Sequence, residues 1–182
     1  MSFIAYTRMT PDIIQVVYDN LNRVITKTDP LDVNRKTVFE YSSGACGSCG
    51  GGMGKLTKVR EMLSPSTTPL RVLEYQYDAA GNLTKSIDAA LGETVFSYDS
   101  QNRQTKVKPA GTTLEMVVAY NKLNQVESVT DLKGTVTGYK YDHVGRAKAV
   151  DDPVAPVDDV QYTYDVAGNL STVTDGLGHV WD

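Results

Sequence analysis

The sequence predicts an all-β fold of tandem antiparallel β-hairpins, and three observations carry that expectation. A tyrosine, in most copies followed by aspartate, returns at a near-constant spacing along the chain. A short stretch rich in β-branched and aromatic residues precedes each of these tyrosines. Turn signals of the form Asp-x-x-Gly then close one strand and open the next.

The copies begin at Tyr18 (YDNLNRVITKTD), Tyr77 (YDAAGNLTKSID), Tyr98 (YDSQNRQTKVKP), Tyr120 (YNKLNQVESVTD), Tyr141 (YDHVGRAKAVDD) and Tyr164 (YDVAGNLSTVTD). Counting the tyrosine as zero, position six is usually apolar: Val24, Leu83, Val126, Ala147 and Leu170, with Gln104 as the exception. Position eleven is aspartate except at Pro109. A seventh copy starts at Tyr41 and is interrupted. Removing residues 46–54 (CGSCGGGMG) places Leu56 at position six and Val59 at position nine. That segment reads as an insertion at a hairpin tip. The seven tyrosines are then spaced 23, 36, 21, 22, 21 and 23 apart, and the long interval also holds a Pro/Ser/Thr loop at 64–69. The array is expected to span residues 13–182, after a lead-in of residues 1–12.

Each tyrosine ends a β-prone stretch such as IIQVVY at 13–18 or VQYTY at 160–164, composition that suits a pleated, half-buried surface. Tyr75 with Tyr77, Tyr139 with Tyr141, and Tyr162 with Tyr164 are two apart, which puts both rings of a pair on one face. Asp78 to Gly81, Asp142 to Gly145 and Asp165 to Gly168 have the chemistry of a type I turn closing into a glycine bulge. The aspartate can bond amides ahead of it, and the glycine accepts positive φ. Asp19 and Asp99 hold the same first place with Asn22 and Asn102 at the fourth. One spacing resists a regular strand. Positions six and nine are both apolar in several copies (Val126 and Val129, Leu170 and Val173), and an odd interval sends them to opposite faces. Either a bulge intervenes or both faces are covered. Seven copies give about fourteen strands, more than an open twisted sheet usually carries without curling. No segment sustains helical periodicity.

The totals narrow the function classes. A net charge of -4 and a pI near 5.2 argue against a nucleic-acid or anionic-membrane surface. No apolar run approaches the roughly 20 residues of a membrane helix. The opening MSFIAYTRMTPD lacks the basic and apolar regions of a signal peptide. The ends carry no polar cap of the kind terminal repeats need, so the chain reads as an excerpt. Its open sheet edges are expected to pair with themselves.

Candidate chemistry is sparse. Cys46 and Cys49 form half of a zinc-type spacing, but a closed site needs four ligands. They are expected to be a tip disulfide or free thiols, with metal or redox chemistry as the alternative. The recurring aspartates Asp19, Asp78, Asp99, Asp142 and Asp165 are explained by turn formation. Asp151-Asp152 and Asp158-Asp159 bracket a Pro-Val-Ala-Pro-Val loop that could offer oxygen ligands to Ca²⁺. Two matches to the glycosylation sequon, at Asn82 and Asn169, arise from the repeat itself. Rows of tyrosines either pack as cross-strand ladders or stack on sugars. No serine or histidine constellation points to catalysis, and no cofactor is expected.

The YDxxGNL…TDxxG pattern, in phase over seven copies, resembles the YD (Rhs) repeats of bacterial Rhs proteins, toxin-complex subunits and animal teneurins. The CGSCGGG insertion is also similar to a form common in bacterial Rhs-type chains. The resemblance implies hairpins wound into a β-spiral shell, a segment of a larger secreted or cell-surface bacterial protein. In bacterial members such a shell encloses a C-terminal effector; in teneurins it serves adhesion. Partners implied are the rest of the parent polypeptide and its effector; a glycan is the partner that the exposed tyrosine rows would take in the alternative reading, a carbohydrate-binding or adhesion module. The family's self-cleaving core, with its DPxGL signature, has no counterpart in this sequence.

Overall fold

A computed structural model describes residues 3–8, 13–42, 54–151 and 159–182. The described residues are strands and turns throughout, and no helix among them is long and apolar enough to cross a membrane. Two units are distinguished, one running to Phe96 and one beginning at Ser97.

The first unit holds β1 (Phe3–Arg8), β2 (Ile13–Tyr18), β3 (Val24–Thr28), β4 (Arg35–Tyr41), β5 (Leu56–Leu63), β6 (Arg71–Tyr77), β7 (Leu83–Asp88) and most of β8 (Gly92–Tyr98). The second holds β9 (Gln104–Lys108), β10 (Met116–Tyr120), β11 (Val126–Thr130), β12 (Val136–Tyr141), β13 (Ala147–Asp151), β14 (Asp159–Tyr164), β15 (Leu170–Thr174) and β16 (Val180–Trp181). In each unit the strands pair antiparallel with their neighbours in chain order. The fold is all-β, built from tandem hairpins. Among the described residues sixteen strands stand where seven copies predict fourteen, because β1 and β16 flank the tyrosine hairpins. β1 lies within the stretch read from sequence as a lead-in, and its backbone pairs with β2 from Phe3↔Tyr18 to Arg8↔Ile13.

The register resolves the odd spacing of positions six and nine. Tyr120 pairs with Val126, but Ala119 pairs with Ser128, leaving Glu127 as one extra residue on β11. The same shift leaves Ile25, Thr57, Thr84, Lys148 and Ser171 unpaired in their hairpins. One β-bulge residue restores the phase. Val129 therefore lies opposite Val118, on the face that carries Tyr120 and Val126. Both faces need not be covered to explain the pattern.

This alternation makes two unlike faces. The tyrosine face carries the residue two before each tyrosine: Val16, Phe39, Tyr75 and Phe96 in the first unit, Val118, Tyr139 and Tyr162 in the second. Phe39 pairs with Val59, Tyr139 with Val150 and Tyr162 with Val173, cross-strand contacts of the kind that stabilise sheets. The opposite face mixes apolar residues such as Val17, Val38, Val72 and Ile87 with ion pairs: Lys58–Glu74 (2.7 Å), Lys85–Glu93 (2.8 Å) and Glu40–Arg60 in the first unit, Lys106–Glu115 (3.0 Å) and Lys140–Asp151 (3.6 Å) in the second. The tyrosine face carries Arg35–Glu61 (3.4 Å) and Arg71–Asp88 (2.6 Å) in the first unit. Burial is shallow. Among the described residues only Thr28 and Ala149 fall to 7% exposure, and both lie on the face opposite the tyrosines, paired with Lys36 and Lys140; the tyrosine face itself is half-buried.

Candidate functional site

The recurrent structure is a turn coupled to a lock on the next hairpin. At the first tip the Asp19 amide donates to the Arg23 carbonyl (2.9 Å), and the Asn22 amide donates to the Asp19 carbonyl (3.2 Å). One carboxylate oxygen of Asp19 accepts the amides of Leu21 (2.9 Å) and Arg23 (3.0 Å). The other accepts the Arg23 guanidinium through both Nε and Nη2, each at 2.7 Å. This is a type I turn with a left-handed fourth residue. Asn22 has φ of 59° there, Asn102 has 62°, and Gly81, Gly145 and Gly168 have 87°, 92° and 90°. Asparagine and glycine recur at this place because other residues resist positive φ.

The other tips vary the donor and keep the pattern. Arg103 and Arg146 clasp Asp99 and Asp142 as Arg23 clasps Asp19. Asn82 and Asn169 donate their amides to Asp78 (2.9 Å) and Asp165 (3.1 Å). At the fourth-strand tip Ser42 replaces the aspartate. Its hydroxyl oxygen accepts the Lys55 amide at 3.1 Å, and its own amide donates to the Lys55 carbonyl at 2.8 Å. Tyr41 then pairs with Leu56 as the gapped alignment requires. The Tyr120 hairpin has no charged pair at its tip: Asn121 stands for the aspartate and donates to the Gln125 side chain at 3.0 Å. The turns that join hairpins at the opposite end reuse the design at Asp131 with Thr135 and at Asp175 with His179.

The lock begins where the ladder between hairpins stops. Pairing of β3 with β4 ends at Thr26↔Val38, so the Val24 carbonyl, two residues nearer the tip, has no strand partner. The Tyr41 hydroxyl donates to it at 2.8 Å. Tyr77 donates to the Leu56 carbonyl (2.8 Å), Tyr120 to Gln104 (3.0 Å), Tyr141 to Val126 (2.8 Å) and Tyr164 to Ala147 (2.8 Å). Each acceptor is position six of the preceding copy. Position five reaches forward as well. Arg23 lies 4.5 Å over the Tyr41 ring, Lys55 5.5 Å over Tyr77, Arg103 4.4 Å over Tyr120 and Arg146 4.2 Å over Tyr164, within the range of cation–π attraction. Gln125 instead donates to the Gly145 carbonyl at 2.7 Å.

Of the seven tyrosines picked out from sequence, Tyr41, Tyr77, Tyr120, Tyr141 and Tyr164 make this bond. What sequence reasoning missed is position five, whose cations and amides join one turn to the next hairpin. The recurrence of a side-chain donor four residues after each turn aspartate was the available signal. Tyr75, Tyr139 and Tyr162 differ from the lattice tyrosines, since their hydroxyls have no hydrogen-bond partner among the described residues. Cys46, Cys49, Asp152 and Asp158 lie outside the described residues. Asp151 ion-pairs with Lys140. No group of three or more potential metal ligands occurs among the described residues.

Residues 54–179 match the Teneurin YD-shell family. The chain belongs to that family. Within the wider Rhs/YD-repeat group, the YD-shell segment is 29% identical over 129 residues to a "Probable deoxyribonuclease RhsB" of Dickeya dadantii (strain 3937), which covers 60% of this chain and 9% of that protein. The crystal structure of TcdB2-TccC3-TEV superposes with a TM-score of 0.70 at 14% identity, over 93% of this chain and 9% of that one. TcdB2-TccC3 without its hypervariable C-terminal region gives 0.55 at 15% identity, over 96% and 10%. These two likenesses concern the fold. The YD-shell segment spans about a tenth of the length of each relative.

The turn carboxylates are held below their ordinary range. Asp78 is lowered first by the Asn82 side chain, and Asp19 first by the Arg23 amide. At Asp142 partial desolvation pushes the carboxyl up, and the amide and guanidinium of Arg146 outweigh it, holding it at about 2. A carboxyl lowered in the folded state stabilises fully above its unfolded pKa of about 4 and loses that contribution as pH falls through the folded value. Unfolding followed by circular dichroism should therefore show stability nearly level from pH 7 to about 5, then falling between about pH 4 and 2. Burial pushes the Tyr77 hydroxyl up, which keeps it protonated as a donor. Removing that hydroxyl by Tyr77→Phe strands the Leu56 carbonyl and should cost about 1–3 kcal/mol in urea unfolding. Tyr75→Phe should cost under about 0.5 kcal/mol, as substitutions away from a specific partner do.

Proposed function

We propose that this YD-shell segment is a length of wall in a larger secreted or cell-surface protein of the Rhs and toxin-complex type, enclosing or presenting a C-terminal effector. The array of residues 13–182 is taken as the walling unit. The observation that carries the reading is the repetition of one Tyr-to-carbonyl lock between successive hairpins. Such a lock extends a sheet by identical steps and creates no local constellation for chemistry. The two faces of each unit differ, one carrying the tyrosines and their locks and the other most of the cross-strand ion pairs, and such a difference suits a partition between two environments. The deoxyribonuclease in the name of the Dickeya relative is a property of that protein.

A wall segment separated from its neighbours offers unpaired strand edges, and this chain alone is expected to associate with itself through them. In the parent polypeptide the effector should resist protease until the wall is opened by denaturant, and the parent should sediment as a monomer where the isolated chain does not. Ready digestion of the effector inside an intact, folded parent would reject enclosure.

A second reading is favoured by Tyr75, Tyr139 and Tyr162. Their half-exposed rings lie on the tyrosine face and their hydroxyls are without partners among the described residues, so ring and hydroxyl are both free for a sugar. A glycan array probed with the folded chain should show binding that Tyr139→Ala abolishes and Tyr120→Phe leaves intact. Binding that survives loss of Tyr75, Tyr139 and Tyr162 together would remove this reading.

A further inference from the structure

Position nine of the repeat lies on the tyrosine face, and valine occupies it in five copies: Val59, Val107, Val129, Val150 and Val173. In the third copy it is Ser86, opposite Tyr75, and in the first copy it is Lys27. A cation at a valine position breaks the pattern of the array itself, and such breaks concentrate at functional places. Lys27 is exposed and has no ion-pair partner among the described residues. Its backbone partner on β4 is Thr37, and Arg35 stands two residues away on the same face. These residues line an open groove of about 220 Å³ together with Thr28, Asp29 and Pro30.

The charges in the groove are unevenly engaged. Arg35 meets Glu61 through a single nitrogen at 3.4 Å, and its side chain remains 53% exposed. The Asp29 carboxylate accepts the Leu31 amide at 2.9 Å with one oxygen. Thr37 adds a hydroxyl opposite Lys27. We propose that this groove binds a phosphoryl or sulfuryl group, with Lys27 and Arg35 supplying charge and Thr37 a hydroxyl hydrogen bond. A tetrahedral oxyanion can take the guanidinium fork on one side and the ammonium point charge on the other. The site is separate from the tyrosine lock and does not depend on what the wall encloses.

The test is titration of the full chain by amide NMR at constant ionic strength. Inorganic phosphate, inorganic sulfate and glucose 6-phosphate are the ligands, with chloride as the reference ion. Saturable shifts should appear at the amides of Lys27, Thr28, Arg35 and Thr37 with the oxyanions and not with chloride. Lys27→Val should weaken binding about tenfold or more, the loss of one charged hydrogen bond. That variant keeps the fold, since valine stands at this place elsewhere in the array. Glu61→Gln, which releases Arg35, should tighten binding. Tighter binding of glucose 6-phosphate than of free phosphate would assign a phosphoester ligand; equal binding would assign the free ion. Shifts that fail to saturate, or that persist undiminished in Lys27→Val, would overturn the site.

Discussion

The structure depends on how one backbone carbonyl per hairpin is satisfied. The bulge that follows each turn shifts the register, and the ladder to the next hairpin stops at position eight. The position-six carbonyl is left beyond that ladder. An unmade hydrogen bond at a half-buried carbonyl costs about 1–3 kcal/mol, and the tyrosine hydroxyl of the following copy removes that cost. The length of the tyrosine side chain sets the distance over which the bond can close. Phenylalanine can fill the space and cannot make the bond. The turn, the bulge and the left-handed residue are therefore parts of one arrangement that places donor against acceptor.

Such a lock matters more in a structure with so little deep burial. No described side chain is fully buried, and apolar residues are shared out half-covered along the strands. Stability of this kind approximates a sum of hairpin terms and nearest-neighbour terms. Each junction must hold on its own. The Tyr120 hairpin shows which feature of the junction is obligatory. Asn121 and Gln125 replace the charged aspartate–arginine pair and keep the same amide acceptors and the same side-chain bridge. Hydrogen-bond geometry is retained where net charge is not. Ion pairs at exposed tips contribute modestly, which is consistent with that exchange.

The two faces differ in what their side chains engage. Ion pairs on the face opposite the tyrosines are cross-strand pairs or diagonals between opposite charges, a solvated pattern that leaves sheet register undisturbed. The tyrosine face is where departures carry information. At position nine of that face Lys27 and Ser86 stand where five copies have valine. The hydroxyls of Tyr75, Tyr139 and Tyr162 have no hydrogen-bond partner among the described residues, and these side chains are half-exposed.

The sequence by itself determined the hairpin period, the turn positions and the shared phase of the tyrosine copies, including the copy interrupted at residues 46–54. Those are local properties: positive φ selects Gly81 or Asn102, and side-chain alternation sets which residues share a face. Tertiary structure alone decided between a bulge and a two-sided sheet, since one extra residue changes pairing without changing composition. It alone gave Tyr41 and Tyr77 their acceptors and showed Arg23 reaching from its own turn to the next ring. Those contacts join residues 15 to 21 apart through space, and the carbonyl that accepts belongs to the backbone, which every residue type shares. A backbone acceptor leaves no signature in side-chain identity.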